Sequence, residues 1–439
     1  MNSVIINPIS SINGEINASP SKSYSHRAFI AASLADGVSI IKNPLTSGDV
    51  SVTINLLKDL HINIREESEN TFVIERTINS YKSIYKTINC GNSGTTLRIF
   101  CALTLLIDEG LTFTGEFLKR NRPILPLLDS LKALGAQWKL SKNNLSINRI
   151  KKFCAPLKMR GDISSQFVTA LLFLSPLLKC NNLDYIEIEI TTPLVSYPYI
   201  QITLDILKSF GIKILEKIDE NRKGKYIIES QQKFRPQVYT IPGDFSSAAF
   251  VIAATVISQE DSHVVINNLN FQNPQGDKKI IEILRDMGAN IEIFQNERKI
   301  TIKGGTNRYP LKGIAIDCSE IPDLFPVLCV VSAFSKGKTT LYNASNLRLK
   351  ESDRISVMAR ELKKMGVRVE EYDDKLVVYH CESIEGVKID HENDHRIAMA
   401  CFIAALYAKT TSEIKNIDIV KDSYPTFIDD FKKLGVSLK

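Results

Sequence analysis

Leu131-Lys132-Ala133-Leu134-Gly135 and its copies Leu207-Lys208-Ser209-Phe210-Gly211, Leu284-Arg285-Asp286-Met287-Gly288, Leu362-Lys363-Lys364-Met365-Gly366 and Phe431-Lys432-Lys433-Leu434-Gly435 decide the fold. Each reads as the last turn of a helix. Apolar residues fall at helical spacing, a cation complements the negative end of the helix dipole, and a glycine takes the left-handed conformation that stops the helix. Leu56-Leu57-Lys58-Asp59-Leu60-His61 is a sixth, weaker copy in which His61 stands for the glycine. The stop positions 61, 135, 211, 288, 366 and 435 are separated by 74, 76, 77, 78 and 69 residues. Near-constant spacing predicts six αβ units, and six divide naturally into two lobes of three. The change of lobe falls near Thr240-Ile241-Pro242-Gly243, where no long Pro- or Ser-rich linker occurs.

A second element recurs inside the units: a Gly/Ser/Asp turn that opens an apolar helix. Gly91-Asn92-Ser93-Gly94-Thr95-Thr96, Gly161-Asp162-Ile163-Ser164-Ser165-Gln166 and Gly243-Asp244-Phe245-Ser246-Ser247 are three examples. Ser319-Glu320-Ile321-Pro322-Asp323 and Asn393-Asp394-His395-Arg396 read as two more. Ser, Asp and Asn satisfy the unpaired N–H groups of a first helical turn, and the same turn attracts phosphate or carboxylate. Cations stand beside these turns. They are Lys22 and Arg27, Arg98, Arg122 ahead of Pro123, Lys350 and Arg354, and Arg396. Asp323 and Glu351 are the acid–base candidates among them, since proton transfer needs a carboxylate within reach.

Composition narrows the classes. The chain of 439 residues is too long for one core, and its 44% hydrophobic and 24% charged content is that of a globular protein. A net charge of +6 from 55 basic and 49 acidic residues argues against a dedicated nucleic-acid binder. No run of 18 apolar residues predicts a membrane span, and residues 1–10 lack signal or transit character. Eight cysteines without a C-x-x-C pair predict buried, unpaired thiols and a cytoplasmic location. His391-Glu392-Asn393-Asp394-His395 spells H-E-x-x-H, but zinc binding requires both histidines on one helix, whereas Asn393-Asp394 reads as the cap that starts it. Gly91 to Thr96 lacks the Gly-Lys-Ser/Thr of a nucleotide-binding loop.

Taken together the motifs resemble the enolpyruvyl transferases over essentially the whole chain. They are Lys22-Ser23-x3-Arg27, Gly91-Asn92-Ser93-Gly94-Thr95, Arg122-Pro123-Ile124, Ser164-Ser165-Gln166-Phe167, Ser196-x-x-Tyr199, Ile321-Pro322-Asp323, Asn346-x-Arg348-x-Lys350-Glu351-x-Asp353-Arg354 and Asn393-Asp394-His395-Arg396-x-Ala398-Met399. The resemblance implies an α/β fold, a two-lobed inverse α/β barrel of six βαβαββ repeats. One lobe would be 21–240, the other 1–20 with 241–439. It implies transfer of the enolpyruvyl group of phosphoenolpyruvate to shikimate 3-phosphate by a monomer, with no metal or organic cofactor and neither nucleic acid nor membrane as partner.

By motif match, Lys22, Ser23, Arg27, Ser164, Ser165, Gln166, Ser196, Tyr199, Asp323, Asn346 and Lys350 would hold shikimate 3-phosphate. Lys22, Gly94, Arg122, Gln166, Arg354 and Arg396 would hold phosphoenolpyruvate. Asp323, Glu351 and Lys22 would be catalytic. Asp422 stands where the family often has Lys, with Lys421 one residue earlier, and Ile99 replaces the Pro that commonly follows the Arg of the Gly-Asn motif. The sister transferase acting on UDP-N-acetylglucosamine typically has Lys-Asn in place of Lys22-Ser23 and a loop Cys that 115–121 lacks. A ring-shaped nucleic-acid clamp of repeated αβ units would need basic helix faces rather than cations beside Gly/Ser turns.

Overall fold

The computed structural model describes residues 3–77, 81, 87–149, 154–180 and 183–438. The chain forms two compact units, one of Lys22–Ile241, the other of Met1–Ser21 with Pro242–Lys439. In the first unit the helices are α1 (Lys22–Leu34), α2 (Gly48–Asp59), α3 (Gly94–Leu103), the single turn α4 (Glu116–Lys119), α5 (Leu125–Lys132), α6 (Ser165–Leu174) and α7 (Tyr197–Ser209). The second has α8 (Phe245–Val256), α9 (Lys279–Met287), α10 (Phe325–Ala333), α11 (Arg354–Lys364), α12 (His395–Leu406) and α13 (Phe427–Lys433).

Sequence chemistry sorts these helices into two kinds. FSSAAFVIAATV in α8, FPVLCVVSA in α10 and HRIAMACFIAAL in α12 carry apolar residues all round, and every residue of all three is buried. Helices α1, α3 and α6 are nearly as buried in the first unit. A helix apolar on every face can only be a core helix. The alternating helices α2, α5, α7, α9, α11 and α13 are amphipathic, burying one stripe and carrying the cations of the repeated stop. All six stop residues have positive φ, from 59° at His61 to 114° at Gly288. At Gly288 a Cβ would also meet the Pro310 carbonyl at 2.9 Å, so both backbone shape and space demand glycine there. His61 adopts the same conformation with a side chain, which explains why that copy was the hardest to read.

Among the described residues six small sheets accompany the helices. Five have four strands in one pattern: a parallel pair followed by two antiparallel pairings, as in Thr87–Asn89, Leu111–Thr114, Asn144–Arg149 and Ala136–Leu140. Laid along the chain, this gives the βαβαββ repeat. The N-terminus completes two sheets of its unit. Asn13–Asn17 pairs in parallel with Ser262–Asn267, and Ser3–Ile6 pairs antiparallel with Ser412–Lys415. Each unit has its own hydrophobic core.

Cysteine pairing departs from the sequence expectation. Cys154 and Cys180, 26 residues apart, form a disulfide with Cα atoms separated by 5.6 Å, leaving six free cysteines. Local spacing could not reveal it. The partners meet because the strand Leu157–Met159, just after Cys154, pairs with Tyr185–Ile190, just after Cys180. His391 precedes the helix that begins at His395, so the H-E-x-x-H letters do not share a helix face.

Phe427 anchors the C-terminal helix. Its ring contacts those of Phe250, Phe402, Tyr424 and Phe431 at centroid distances of 6.4, 5.0, 5.5 and 4.8 Å, and it is fully buried. Phe427→Ala should lower the unfolding free energy by about 3–5 kcal/mol, as read by denaturant titration. A loss below about 1 kcal/mol would show that the cluster closes around the gap.

Candidate active site

In the unit Lys22–Ile241, the buried helices α1, α3 and α6 pack with their N-terminal halves together. Gln166 at the start of α6 donates from Nε2 to Thr95 Oγ1 at the start of α3, at 2.9 Å. Arg27 in α1 reaches Thr169 in α6, and His26 in α1 is linked through Thr53 to Thr96 in α3. Three positive helix ends therefore share one end of the unit, favouring anions there.

Local sequence builds this end. Ser93 Oγ caps α3 and Ser164 Oγ caps α6. Arg98 Nη1 donates to Gln166 Oε1 at 2.6 Å, and Nη2 donates to the Pro123 carbonyl at 2.8 Å. Its guanidinium also lies over the Phe117 and Phe167 rings. Arg122 also lies over the Phe117 ring, 4.8 Å from the centroid, and donates to the Asn92 carbonyl. Gly94 lies where these cations converge. A Cβ there would stand 3.4 Å from Arg98 Nη1, 3.4 Å from Arg122 Nη1 and 3.0 Å from Phe117.

Lys22 opens α1, and its Nζ lies 3.4 Å from the carboxylate of Asp49 in the first turn of α2. Arg27 is buried and fixed by Thr203 Oγ1 at 2.8 Å and by the carbonyls of Ser23 and Tyr199. Burial lowers its pKa to about 10, so it stays cationic at neutral pH. Ser196 begins α7 in the left-handed conformation, and its buried Oγ has no hydrogen-bond partner among the described residues. Ser165 is buried in the first turn of α6, and Ser23 is half-buried in α1.

The other unit holds Asp323, Asn346, Lys350, Glu351, Arg354 and Arg396. Arg354, the first residue of α11, is 1% exposed and touches three carboxylates. These are Asp323 at 2.8 Å, Glu351 at 3.1 Å and Asp394 at 2.9 Å. Arg396, in the first turn of α12, is 3.2 Å from the other oxygen of Asp323. Burial alone would raise the Asp323 pKa. Arg396, Arg354 and Lys350 outweigh it and hold the carboxyl well below its usual range, hence ionised. Asn346 is buried, and neither of its side-chain polar atoms has a partner among the described residues. Asp323 does not cap a helix as its turn suggested. Helix α10 starts two residues later with no side-chain cap, which frees the carboxylate for the arginines.

Sequence reasoning passed over several residues that support these groups. Asp394 appeared only as a cap. It accepts the Arg396 N–H at 2.9 Å while also binding Arg354 and Ser352. Arg98 reads from the sequence as a cation only, and its grip on Gln166 is a tertiary contact. Asp49, Thr169 and Thr203 carry no local signal because their partners are distant in sequence. Lys421 lies on the turn Ile417–Asp422 and pairs with Asp418 at 2.6 Å.

Asp394→Ala removes both the cap of α12 and a buried partner of Arg354. It should cost about 3–5 kcal/mol of stability, while Asp394→Asn, which can still accept the cap hydrogen bond, should cost measurably less. Denaturant unfolding of the two variants checks this, and equal losses would remove the charge argument.

The chain is similar to known proteins along its length. The family described as EPSP synthase (3-phosphoshikimate 1-carboxyvinyltransferase) matches residues 6–431. A 3-phosphoshikimate 1-carboxyvinyltransferase of Methanococcus vannielii is 41% identical over 441 residues, covering 99% of each chain. One of Clostridium perfringens is 37% identical over 440 residues, covering all of both. The solved EPSP synthase of Acinetobacter baumannii superposes with a TM-score of 0.80 at 25% identity, over 100% of this chain and 99% of that one. The chain belongs to the EPSP synthase family.

Proposed function

We propose that this chain transfers the enolpyruvyl group of phosphoenolpyruvate to the 5-hydroxyl of shikimate 3-phosphate, releasing phosphate. The ionised Asp323 carboxylate, bound at once by Arg354 and Arg396, is the observation that carries the residue-level reading. The two guanidiniums supply planar donors suited to the carboxylate and phosphate of phosphoenolpyruvate. An anion that engages them withdraws their hydrogen bonds from Asp323, and its own charge raises the proton affinity of that carboxylate. The base is thereby strengthened when substrate arrives.

In this reading Asp323 takes the proton of the 5-hydroxyl as its oxygen bonds to C2 of phosphoenolpyruvate. Glu351 and Lys22 deliver a proton to the methylene carbon, which becomes a methyl group. The tetrahedral intermediate then returns a proton from that methyl to the Glu351 and Lys22 pair, now deprotonated, as the bond from C2 to the phosphate oxygen breaks and phosphate leaves. Fixed cations oriented before reaction stabilise the charge throughout. Ser23, Arg27, Ser164, Ser165, Gln166, Ser196, Tyr199, Asn346 and Lys350 hold shikimate 3-phosphate together with Lys22 and Asp323. Arg122, Arg354 and Arg396 clamp phosphoenolpyruvate, with Gly94 leaving room for it and Lys22 and Gln166 contributing donors. The unpartnered Ser196 Oγ and Asn346 amide support these assignments, because a ligand would satisfy buried groups that the described residues leave unpaired. No metal or organic cofactor enters these steps.

The same reading keeps the enzyme monomeric and cytoplasmic. Among the described residues no helix is long and apolar enough to cross a membrane.

Phosphate release with phosphoenolpyruvate and either shikimate 3-phosphate or UDP-N-acetylglucosamine tests the reaction. Turnover with the second acceptor alone would overturn it. Lys22→Ala, Asp323→Ala and Glu351→Ala should each lose about 10²- to 10⁴-fold in kcat with circular dichroism unchanged. Near-normal turnover in Asp323→Ala would refute its role as base.

A further inference from the structure

Asp277 lies on the short 3-10 turn Gly276–Lys278 ahead of α9 and is only 2% exposed. Its Oδ2 accepts a hydrogen bond from Ser246 Oγ, in the first turn of α8, at 2.5 Å. Gln275 bolts the turn to the same helix end. Its Oε1 accepts the Phe245 N–H at 3.0 Å, and its Nε2 donates to the Gly243 carbonyl at 2.9 Å. The carboxylate is thus fixed at the start of α8, which Asp244 caps. Arg396 lies 5.9 Å from the ring of Phe250, one turn further along that helix, and holds Asp323 at 3.2 Å, so Asp244, Asp323 and Arg396 are the charges grouped around this helix end. Lys278 on the same turn bonds instead to the carbonyls of Phe271 and Asn273. On α9, Lys279 pairs with Glu320, and Glu282, Arg285 and Asp286 are exposed. The Asp277 carboxyl is pushed up to about 7, chiefly by burial and then by the charge on Asp323, against Ser246 and Arg396, which lower it.

We infer that Asp277 is a positioning residue whose gain or loss of a proton sets the charge felt by Asp323 and Arg396, and through them the strength of the base and the grip on the anionic substrate. This rests on the roles given above to Asp323 and Arg396. The signs follow from Coulomb's law. As pH rises through neutrality Asp277 ionises, raising the proton affinity of Asp323 and offsetting part of the attraction of Arg396 for an anion. Below neutrality it is neutral, leaving Arg396 a stronger anion binder and Asp323 a weaker base.

Asp277→Asn fixes the neutral state and keeps an acceptor for Ser246. The ratio of the wild-type KM for phosphoenolpyruvate to that of Asp277→Asn should be near one at about pH 6 and rise roughly three- to tenfold by about pH 8, the reach of a single partly screened charge. The ionisation of the substrate itself is common to both enzymes and cancels. A ratio constant with pH, including a uniform loss of kcat from a purely structural role, would overturn the proposal. Carboxyl carbon NMR supplies a readout independent of turnover, with the Asp277 signal identified by its absence in Asp277→Asn. Its titration midpoint should lie near neutral in the wild type and fall by about one unit or more in Asp323→Asn. The same midpoint in both would equally overturn it. Failure of the base assignment would be seen separately, as turnover retained by Asp323→Ala.

Discussion

Each unit depends on one constraint: three helices so apolar that every face must be buried. Burial leaves most of such a first turn without water, so its unpaired N–H groups need partners supplied by the chain. Ser93, Ser164, Asp244 and Asp394 provide them at α3, α6, α8 and α12. In the first unit, Gln166 joins the first turns of α6 and α3, and Arg27 joins the N-terminal half of α1 to that of α6. Packing that satisfies hydrophobic burial therefore also gathers positive helix ends at one place. In that unit an end that favours anions follows from the way the core is made.

Charge at these ends is distributed differently in the two units. Around Lys22, Arg27, Arg98 and Arg122 the cations are held largely by hydroxyls, carbonyls and aromatic faces, with Asp49 beside Lys22. Neutral partners fix a guanidinium without cancelling it, so its field remains available to an anion. In the other unit Arg354 is surrounded by Asp323, Glu351 and Asp394. Carboxylates there compensate the buried charge. Asp394 has a double duty, since capping α12 and anchoring Arg354 fix two arginines relative to each other. Such shared partners make single substitutions non-additive.

Much of this is legible in the sequence. Glycines and cations at near-constant intervals located helix stops, and φ is positive at all six positions, including the non-glycine His61. Ser93, Ser164, Asp244 and Asp394 were readable as caps because capping is local chemistry. Ser319–Asp323 looked like another and is not one, since α10 begins two residues later without a side-chain cap. The Cys154–Cys180 bond, the Asp49 partner of Lys22 and the grip of Arg98 on Gln166 were not legible. Each depends on contacts between segments 26, 27 and 68 residues apart, respectively.

The sequence by itself determined which segments form helices, where those helices stop and which carry caps and cations. Periodicity, glycine and N-cap residues act within a few residues of one another. Tertiary structure alone decided which charges meet. It set Asp323 between two arginines, buried Asp277 against Ser246 and left the Asn346 amide unpaired among the described residues. The physical reason is the range of the forces. Backbone preference is settled by near neighbours along the chain, whereas burial and Coulomb interactions depend on distance in space, which only the folded chain defines.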